Sequence, residues 1–171
     1  MTARALAFAG DPAAVRDALC SAVTEVTAAP IAILYEADPT GAALVATGAS
    51  GESPGLRRSL DEPSGAVQAF LTREPLFVPD VDGHPAVSMP RVRATGAQSC
   101  YWHPIVLGSD VLGVLAVVWT ERQAVLPERI EALVRLLAAE AAIAIRRPAD
   151  TAGGSQEAPG LGASPAPQAV V

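Results

Sequence analysis

Residues 99–119 read SCYWHPIVLGSDVLGVLAVVW, and this stretch decides the fold. Two runs rich in β-branched and aromatic residues, 99–107 and 111–119, flank the turn residues GSD at 108–110. Three turn-forming residues between two such runs predict a β-hairpin, because glycine and aspartate readily adopt the backbone conformations of tight turns. The centre of the domain is therefore predicted to be antiparallel sheet.

Upstream of this hairpin, the sequence alternates between helical and strand patterns. Asp11 and Pro12 supply a helix cap and a first-turn proline, and apolar residues follow at helical spacing as far as Pro30. A strand over 31–36 and a hairpin partner over 42–47 come next, on either side of a proline–glycine turn. The first part of the domain is therefore predicted as one helix followed by a hairpin.

The middle of the chain combines a short helix with a long irregular segment. Ser64 is expected to cap a helix that runs to about Arg73, and residues 76–78 form a brief strand that ends at Pro79. Residues 80–98 contain two glycines and two prolines with little periodicity. Long loops of this kind often act as lids or binding loops, so we expect this segment to cover a site.

The chain closes with a long amphipathic helix and a tail of different composition. The helix is predicted from about 128 to 147, and Leu136 and Ile143 add apolar surface beyond the stripe that one core face needs. From residue 148 onward proline, glycine and alanine dominate, so this tail is predicted to be disordered. The expected organisation is an N-terminal extension over 1–10, a domain over 11–147 and a disordered tail over 148–171.

Composition narrows the function classes. The chain has 171 residues, 50% of them hydrophobic, which suits one domain with a real core. Twelve basic residues, all arginine, against 18 acidic residues give a net charge of −6, which argues against a nucleic-acid-binding protein. The longest apolar stretch is too short to span a bilayer, and no signal-peptide pattern is visible, so we expect no membrane partner and a cytoplasmic location. The absence of lysine and asparagine indicates a GC-rich, bacterial coding bias.

Catalytic and metal motifs are missing from the sequence. It contains no HExxH zinc motif, no GxSxG nucleophile elbow, no GxxxxGK[ST] phosphate loop and no GxGxxG dinucleotide motif. Its two cysteines, far apart in sequence, form neither a disulfide framework nor a CxxC site, and two histidines alone do not make a metal site. Asp80 and Asp82 form an isolated acidic pair in a loop, so we expect no enzyme activity.

Five segments carry a resemblance to a known family. They are GAQS at 96–99, HPI at 103–105, VLGVLA at 111–116, LPER at 126–129 and AAIAI at 141–145. Together with the order helix, hairpin, short helix, short strand, loop, hairpin and long helix, they make the chain resemble a GAF domain over roughly residues 11–147. These motifs are specific for the fold and carry little information about the ligand.

The resemblance implies an α+β fold with a central antiparallel β-sheet. The N- and C-terminal helices are expected on one face of the sheet, and a pocket with a short helix and loop as its lid on the other. GAF domains bind small molecules in that pocket and commonly pair through their terminal helices. We therefore expect a sensory or regulatory domain that binds an unidentified small molecule, forms a homodimer through residues 11–29 and 126–147, and acts on a downstream signalling protein.

Strand alternation nominates residues for the pocket wall. Cys100 and Trp102 share one face of the first strand of the central hairpin, and the family's register indicates that this face meets the pocket. From the pairing strand we expect Leu115, Val117 and Trp119 to face the pocket as well. The simpler alternatives are that the cysteine is a small buried apolar residue and that the tryptophans fill the core.

Four polar side chains are further candidates. His84, in the lid-like segment, is predicted either to contact a ligand or to sit in a plain exposed turn. Arg91 and Arg93 are predicted either to clamp a phosphate or carboxylate over the pocket or to be ordinary surface arginines. Since some GAF sensors bind haem through one histidine, His84 or His103 is a candidate haem ligand, although a hydrogen-bonded core histidine is the simpler interpretation of His103.

Differences between this sequence and known GAF motifs argue against several classes of ligand. Bilin-binding members usually place a histidine directly after their cysteine, whereas Tyr101 follows Cys100 here, so no bilin adduct is expected. The N-K-F-D-E pattern of cyclic-nucleotide-binding members is impossible without asparagine and lysine, and the cysteine set of the methionine sulfoxide reductases of this fold is not reproduced. Two alternatives to a small-molecule sensor stay open: a ligand-free interaction and dimerisation module, and a haem-based gas or redox sensor.

Overall fold

A six-stranded antiparallel sheet forms the centre of the protein. The computed structural model describes residues 11–50 and 56–146, so the predicted extension 1–10 and tail 148–171 lie outside the described residues. The strands are β1 (Ile31–Ala37), β2 (Ala43–Ala49), β3 (Arg57–Ser59), β4 (Leu76–Val78), β5 (Ser99–Leu107) and β6 (Asp110–Trp119). Their order across the sheet is β3-β2-β1-β6-β5-β4, and every neighbouring pair is antiparallel.

Helices cover both faces of this sheet. They are α1 (Pro12–Thr27), α2 (Gly65–Thr72), α3 (Met89–Thr95) and α4 (Glu128–Arg146). Buried side chains of α1 and α4 pack with one face of the sheet, and those of α2 pack with the opposite face in a separate cluster. The predicted α+β architecture, with the terminal helices on one face, is therefore confirmed.

The first helix forms and docks for local reasons. The Asp11 carboxylate accepts a hydrogen bond from the backbone N–H of Ala13 at 2.9 Å, and Pro12 occupies the first turn. In the second turn, Arg16 forms an ion pair with Glu36 of β1 in which both side chains are largely shielded from solvent. The Glu36 carboxylate also accepts a 2.7 Å hydrogen bond from the hydroxyl of Thr47, so this ion pair attaches α1 to two strands.

The central hairpin matches its prediction in extent and sets the register of the sheet. Strand β6 lies between β5 and β1, with Cys100 opposite Val118 and Ile33 opposite Ala116. Gly113 is needed for this packing, because a Cβ atom there would lie 2.0 Å from the carbonyl oxygen of a β1 residue. A side chain at this position would therefore force two neighbouring strands apart.

Two elements were not predicted from the sequence. Strand β3 is only three residues long, which is too short for a recognisable alternation. Helix α3 lies inside the segment 80–98 that was expected to be loop, and none of its seven residues is buried. Val92 alone of its residues packs against the cavity-side cluster as a partly buried apolar side chain, so the helix shows no apolar stripe. Pro90 in its first turn and Gly96 at its end, with φ 68°, are nevertheless ordinary helix-boundary residues.

The second helix differs from its prediction in one detail. Ser64 occupies the N-cap position with extended backbone angles, but its side chain makes no capping hydrogen bond.

Over residues 11–50 and 56–146, no helix has the length and apolar character needed to cross a membrane.

Candidate functional site

A cavity of about 730 Å³ lies between the sheet and α3. Its floor is formed by strands β1, β5 and β6, and its cover by α3 together with residues 86–88. One side is closed by β3 and the start of α2. The short helix and the lid segment expected over the pocket therefore both border this cavity.

The floor of the cavity is mostly apolar. Cys100 and Trp102 of β5 lie beside Ala116 and Val118 of β6, and Ile33 of β1 completes the row. All five residues are less than 9% exposed, so the floor is shielded from bulk solvent. An apolar floor of this kind favours a ligand with a hydrophobic or flat body.

The expectation that Leu115, Val117 and Trp119 face this cavity is wrong. Directly opposed residues of an antiparallel pair point to the same face, and the partners of Cys100 and Trp102 are the even-numbered residues of β6. The odd-numbered residues belong to the cluster with α1 and α4. Trp119 donates from its indole Nε1 to the backbone oxygen of Thr27 at 3.2 Å, which is a structural contact of the helix-facing core.

Trp102 is held on the cavity wall by the start of α2. A Cβ atom at Gly65 would lie 2.5 Å from the Trp102 ring, so the absence of a side chain lets the helix approach the indole face. Trp102 is 8% exposed and also lines the cavity. The ring is therefore packed on one side and open to the cavity on the other.

Two arginines line the cavity, and only one of them was predicted. Arg91 of α3 and Arg58 of β3 both border it, whereas Arg93 is exposed and does not. Burial and the positive charge of Arg58 lower the pKa of the Arg91 guanidinium, and Tyr35 and Glu62 act in the opposite direction. The two guanidinium groups therefore border one cavity, and the charge of one disfavours the charge of the other.

Neither of these arginines is neutralised by the residues described. The ion pairs of the described chain involve Arg16, Arg57, Arg122 and Arg146, and neither Arg58 nor Arg91 makes a side-chain hydrogen bond within residues 11–50 and 56–146. The neighbouring Arg57 differs, because it pairs with Asp38 at 2.7 Å. Sequence alternation within β3 explains the contrast: Arg58 lies opposite the buried Leu44 on the cavity side of the sheet.

The two histidines lie away from the cavity wall. His84 is half-buried in a turn, where its Nδ1 accepts the backbone N–H of Ala86 at 3.2 Å. His103 follows Tyr101 on the helix-facing side of β5, with ring centroids 6.1 Å apart. Burial lowers the pKa of His103, which favours a neutral imidazole there. The structure therefore does not bring either histidine together with Cys100 and Trp102.

The two cysteines are buried, unoxidised and in different clusters. Cys100 belongs to the cavity-side cluster and Cys20 of α1 to the helix-side cluster. Burial raises the pKa of each thiol to about 12. A thiol with so high a pKa is a poor nucleophile at neutral pH, since the thiolate is the reactive form. No group of three or more potential metal ligands occurs among the residues described.

Comparison with known proteins places this geometry in a family. A family model for the GAF domain matches residues 9–146, which is most of the chain. The chain belongs to the GAF domain family. No curated protein matches this chain in sequence.

Solved GAF domains share the fold at low sequence identity. The GAF domain of a phosphoenolpyruvate-protein phosphotransferase from Coxiella burnetii superposes with a TM-score of 0.73 at 20% identity, over 83% of this chain and 86% of that one. The corresponding domain from Acinetobacter superposes with a TM-score of 0.69 at 17% identity, over 83% of this chain and 88% of that one. The free methionine-R-sulfoxide reductase of Neisseria meningitidis, solved with its substrate, superposes with a TM-score of 0.69 at 19% identity, over 83% of this chain and 82% of that one. The fold of this chain is therefore shared by GAF domains of larger proteins and by an enzyme.

Proposed function

We propose that this GAF domain is a sensory or regulatory module that binds a small molecule in the cavity beneath α3. The observation that carries the proposal is the cavity of about 730 Å³, with its apolar floor and two arginines on its wall. Sites for small molecules typically have volumes of roughly 300–1,000 Å³ and combine apolar walls with a few polar groups. Structures of similar fold include a domain of a sensor histidine kinase and part of a methyl-accepting chemotaxis protein, which supports a role in signal transduction.

The sheet provides a short route from the ligand to the terminal helices. Cys100 and Trp102 contact the cavity, and the intervening Tyr101 packs into the cluster with α1 and α4. A ligand that moves the floor of the cavity therefore acts on residues one position away that hold both helices. In this proposal the terminal helices exchange between two arrangements. The ligand shifts the equilibrium between them only if it binds the protein more tightly in one arrangement than in the other.

The output surface in this proposal is a homodimer formed through α1 and α4. Leu136 and Ile143 of α4 are 56% and 54% exposed, so they are large apolar side chains that the domain itself does not cover. They lie a heptad apart on one side of the helix, as expected for a helix-pairing seam. We propose that this dimer acts in the bacterial cytoplasm on a downstream signalling protein.

Catalysis is not part of the proposal. The reductase of similar fold shows that a GAF fold can host an enzyme, but here the two thiols lie on opposite faces of the sheet and have raised pKa values. The exposed Leu136 and Ile143 favour one second candidate, a ligand-free dimerisation module. A haem sensor finds no support, because neither His84 nor His103 lies on the cavity wall.

Native mass spectrometry of the purified protein, compared with the same sample after denaturation, tests the proposal. A dimer with extra mass that disappears on denaturation is the expected result. A second sample, incubated with a metabolite extract and desalted, covers the case of a ligand lost during purification. Protein that stays bare in both samples contradicts the sensor proposal; if it is dimeric it favours the dimerisation module, and a bare monomer contradicts both.

A further inference from the structure

We infer that Arg58 and Arg91 together form an anion-binding end of the cavity, which selects ligands that carry a carboxylate or phosphate on an apolar body. The inference rests on the proposed function and adds the chemical class of the ligand. Arg58 reaches the cavity from the edge strand β3 and Arg91 from the covering helix α3, so the two groups approach it from different elements.

The first argument is electrostatic. Both guanidinium groups border the same cavity. Burial disfavours the charged form of Arg91 and lowers its pKa, and repulsion by the positive charge of Arg58 adds to this effect. Within the described residues neither side chain has an ion-pair partner, although the chain carries an excess of acidic residues elsewhere. Glu62 lies near enough to favour the charged form of Arg91 but makes no ion pair with it. A bound anion would relieve this repulsion from inside the cavity.

The second argument is geometric. A planar guanidinium offers two parallel N–H donors that match the two oxygens of a carboxylate or phosphate. The remaining wall is mostly apolar, with Trp102, Val118 and Ile33 on the floor. The cavity therefore combines two positively charged side chains with a mostly apolar wall, which suits an amphipathic anion and disfavours a cation of the same shape.

The third argument concerns the position of Arg91. It lies on α3, which covers the cavity without contributing a fully buried residue. An anion bound by Arg58 and Arg91 at once connects α3 to the edge of the sheet. Ligand binding would therefore close the cover through the same two side chains that select the charge.

Calorimetric titration with four probes that share one tail tests the inference: octanoate, octyl phosphate, octylammonium and octanol. We expect at least one of the two anions to bind at least ten-fold more tightly than octylammonium. Arg58→Gln and Arg91→Gln are each expected to weaken anion binding by about ten-fold, since a charged hydrogen bond is lost. Octanol binding is expected to stay within two-fold in both variants. The comparison of octanoate with octyl phosphate separates a carboxylate site from a phosphate site.

Arg93→Gln is the matched control, because Arg93 lies on the same helix but is exposed and does not border the cavity. It is expected to bind the anions as the unmodified protein does. Thermal denaturation without probes checks folding, and neither cavity variant is expected to be less stable, since each removes a like-charge repulsion. Should one variant unfold, the other tests the same site.

Three results would overturn the inference. They are equal binding of octylammonium and the anions, unchanged anion binding in both cavity variants, and failure of both anions to bind at millimolar concentration. Octanol binding in the first two cases would leave the proposed small-molecule site intact while removing its charge selectivity. In the third case the mass-spectrometric experiment on the purified protein still decides the proposed function by itself.

Discussion

The presence of free space on one face of the sheet predicts opposite outcomes for the same substitution on two adjacent strands. Ala32 of β1 is fully buried in the cluster with α1 and α4, whereas Ala116 of β6 lines the cavity. Ala32→Leu must push closely packed neighbours aside, and overpacking of this kind costs about 1–3 kcal/mol. Ala116→Leu instead extends its side chain into the cavity of about 730 Å³.

The expected change in the free energy of unfolding for Ala116→Leu follows from the number of carbon atoms that the substitution adds. Each buried methylene contributes about 0.8 kcal/mol, so three added groups contribute roughly 2 kcal/mol when they are fully buried. Loss of leucine rotamer freedom removes about 0.5–1 kcal/mol, and imperfect fit removes more. We therefore expect the free energy of unfolding of Ala116→Leu to be equal to that of the unmodified protein or higher by up to about 1 kcal/mol. The free energies of unfolding of the two variants should therefore differ by about 1–4 kcal/mol.

Urea denaturation followed by far-ultraviolet circular dichroism measures this difference. A domain of this size unfolds with about 5–15 kcal/mol, and a difference of about 2 kcal/mol is resolved by the shift of the midpoint at constant m-value. Equal destabilisation by the two substitutions would refute the reasoning, because it would mean that the face carrying Ala116 is as densely packed as the face carrying Ala32. Greater destabilisation at Ala116 would reverse the assignment of the two faces.

Three further predictions concern the buried hydroxyl, the helix surface and the thiols. Ser99→Ala should lower the free energy of unfolding by about 2–4 kcal/mol, since the fully buried hydroxyl both donates and accepts a 2.7 Å hydrogen bond; urea denaturation measures it. The double substitution Leu136→Asp and Ile143→Asp should give a folded monomer by analytical ultracentrifugation, because charges would replace the exposed apolar seam. Cys20 and Cys100 should react with iodoacetamide at pH 8 on the order of a thousand-fold more slowly in the folded than in the urea-unfolded protein, and faster as the pH rises towards about 12.

Each of these predictions has a result that contradicts it, and the serine substitution has a matched control. Ser109→Ala, at the exposed hairpin tip, should change stability by less than about 0.5 kcal/mol, and an equally small effect at the buried serine would contradict the hydrogen-bond argument. A dimer that persists in the double variant would contradict the α4 surface as the interface. Equal alkylation rates in the folded and unfolded protein would contradict the burial of the thiols.

Local chemistry explains which parts of the fold were predictable. The cap at Asp11, the turn at 108–110 and the apolar stripe of α4 depend on residues close together in sequence, and all three elements are present as predicted. Helix α3 does not show in the apolar periodicity because none of its residues is fully buried and only Val92 packs against the core, and periodicity depends on burial and not on backbone geometry. Cys100 and Trp102 were placed on the cavity side by the register of the family pattern, and the structure places them there.

The error on β6 shows where sequence reasoning ended. The alternation of side chains along β6 predicts that Leu115, Val117 and Trp119 share one face of the sheet, and this is correct. Alternation alone does not indicate which of the two faces borders the cavity. That depends on which residues of β5 stand opposite them, and a shift of one position exchanges the two faces. The predicted set is one residue out of register, because Val118 and Ala116 are the residues that stand opposite Cys100 and Trp102 and line the floor.

The sequence by itself determined eight of the ten elements, their order and the family, because turn residues, helix boundaries and apolar periodicity act over a few residues. Only the tertiary structure decided the register of β6, the existence of the cavity and the meeting of Arg58 with Arg91. These two arginines lie on an edge strand and a covering helix that are separated in sequence by α2 and β4. Their convergence on one cavity results from how the sheet and α3 pack, and no local sequence pattern indicates which side chains of separate elements line the same cavity.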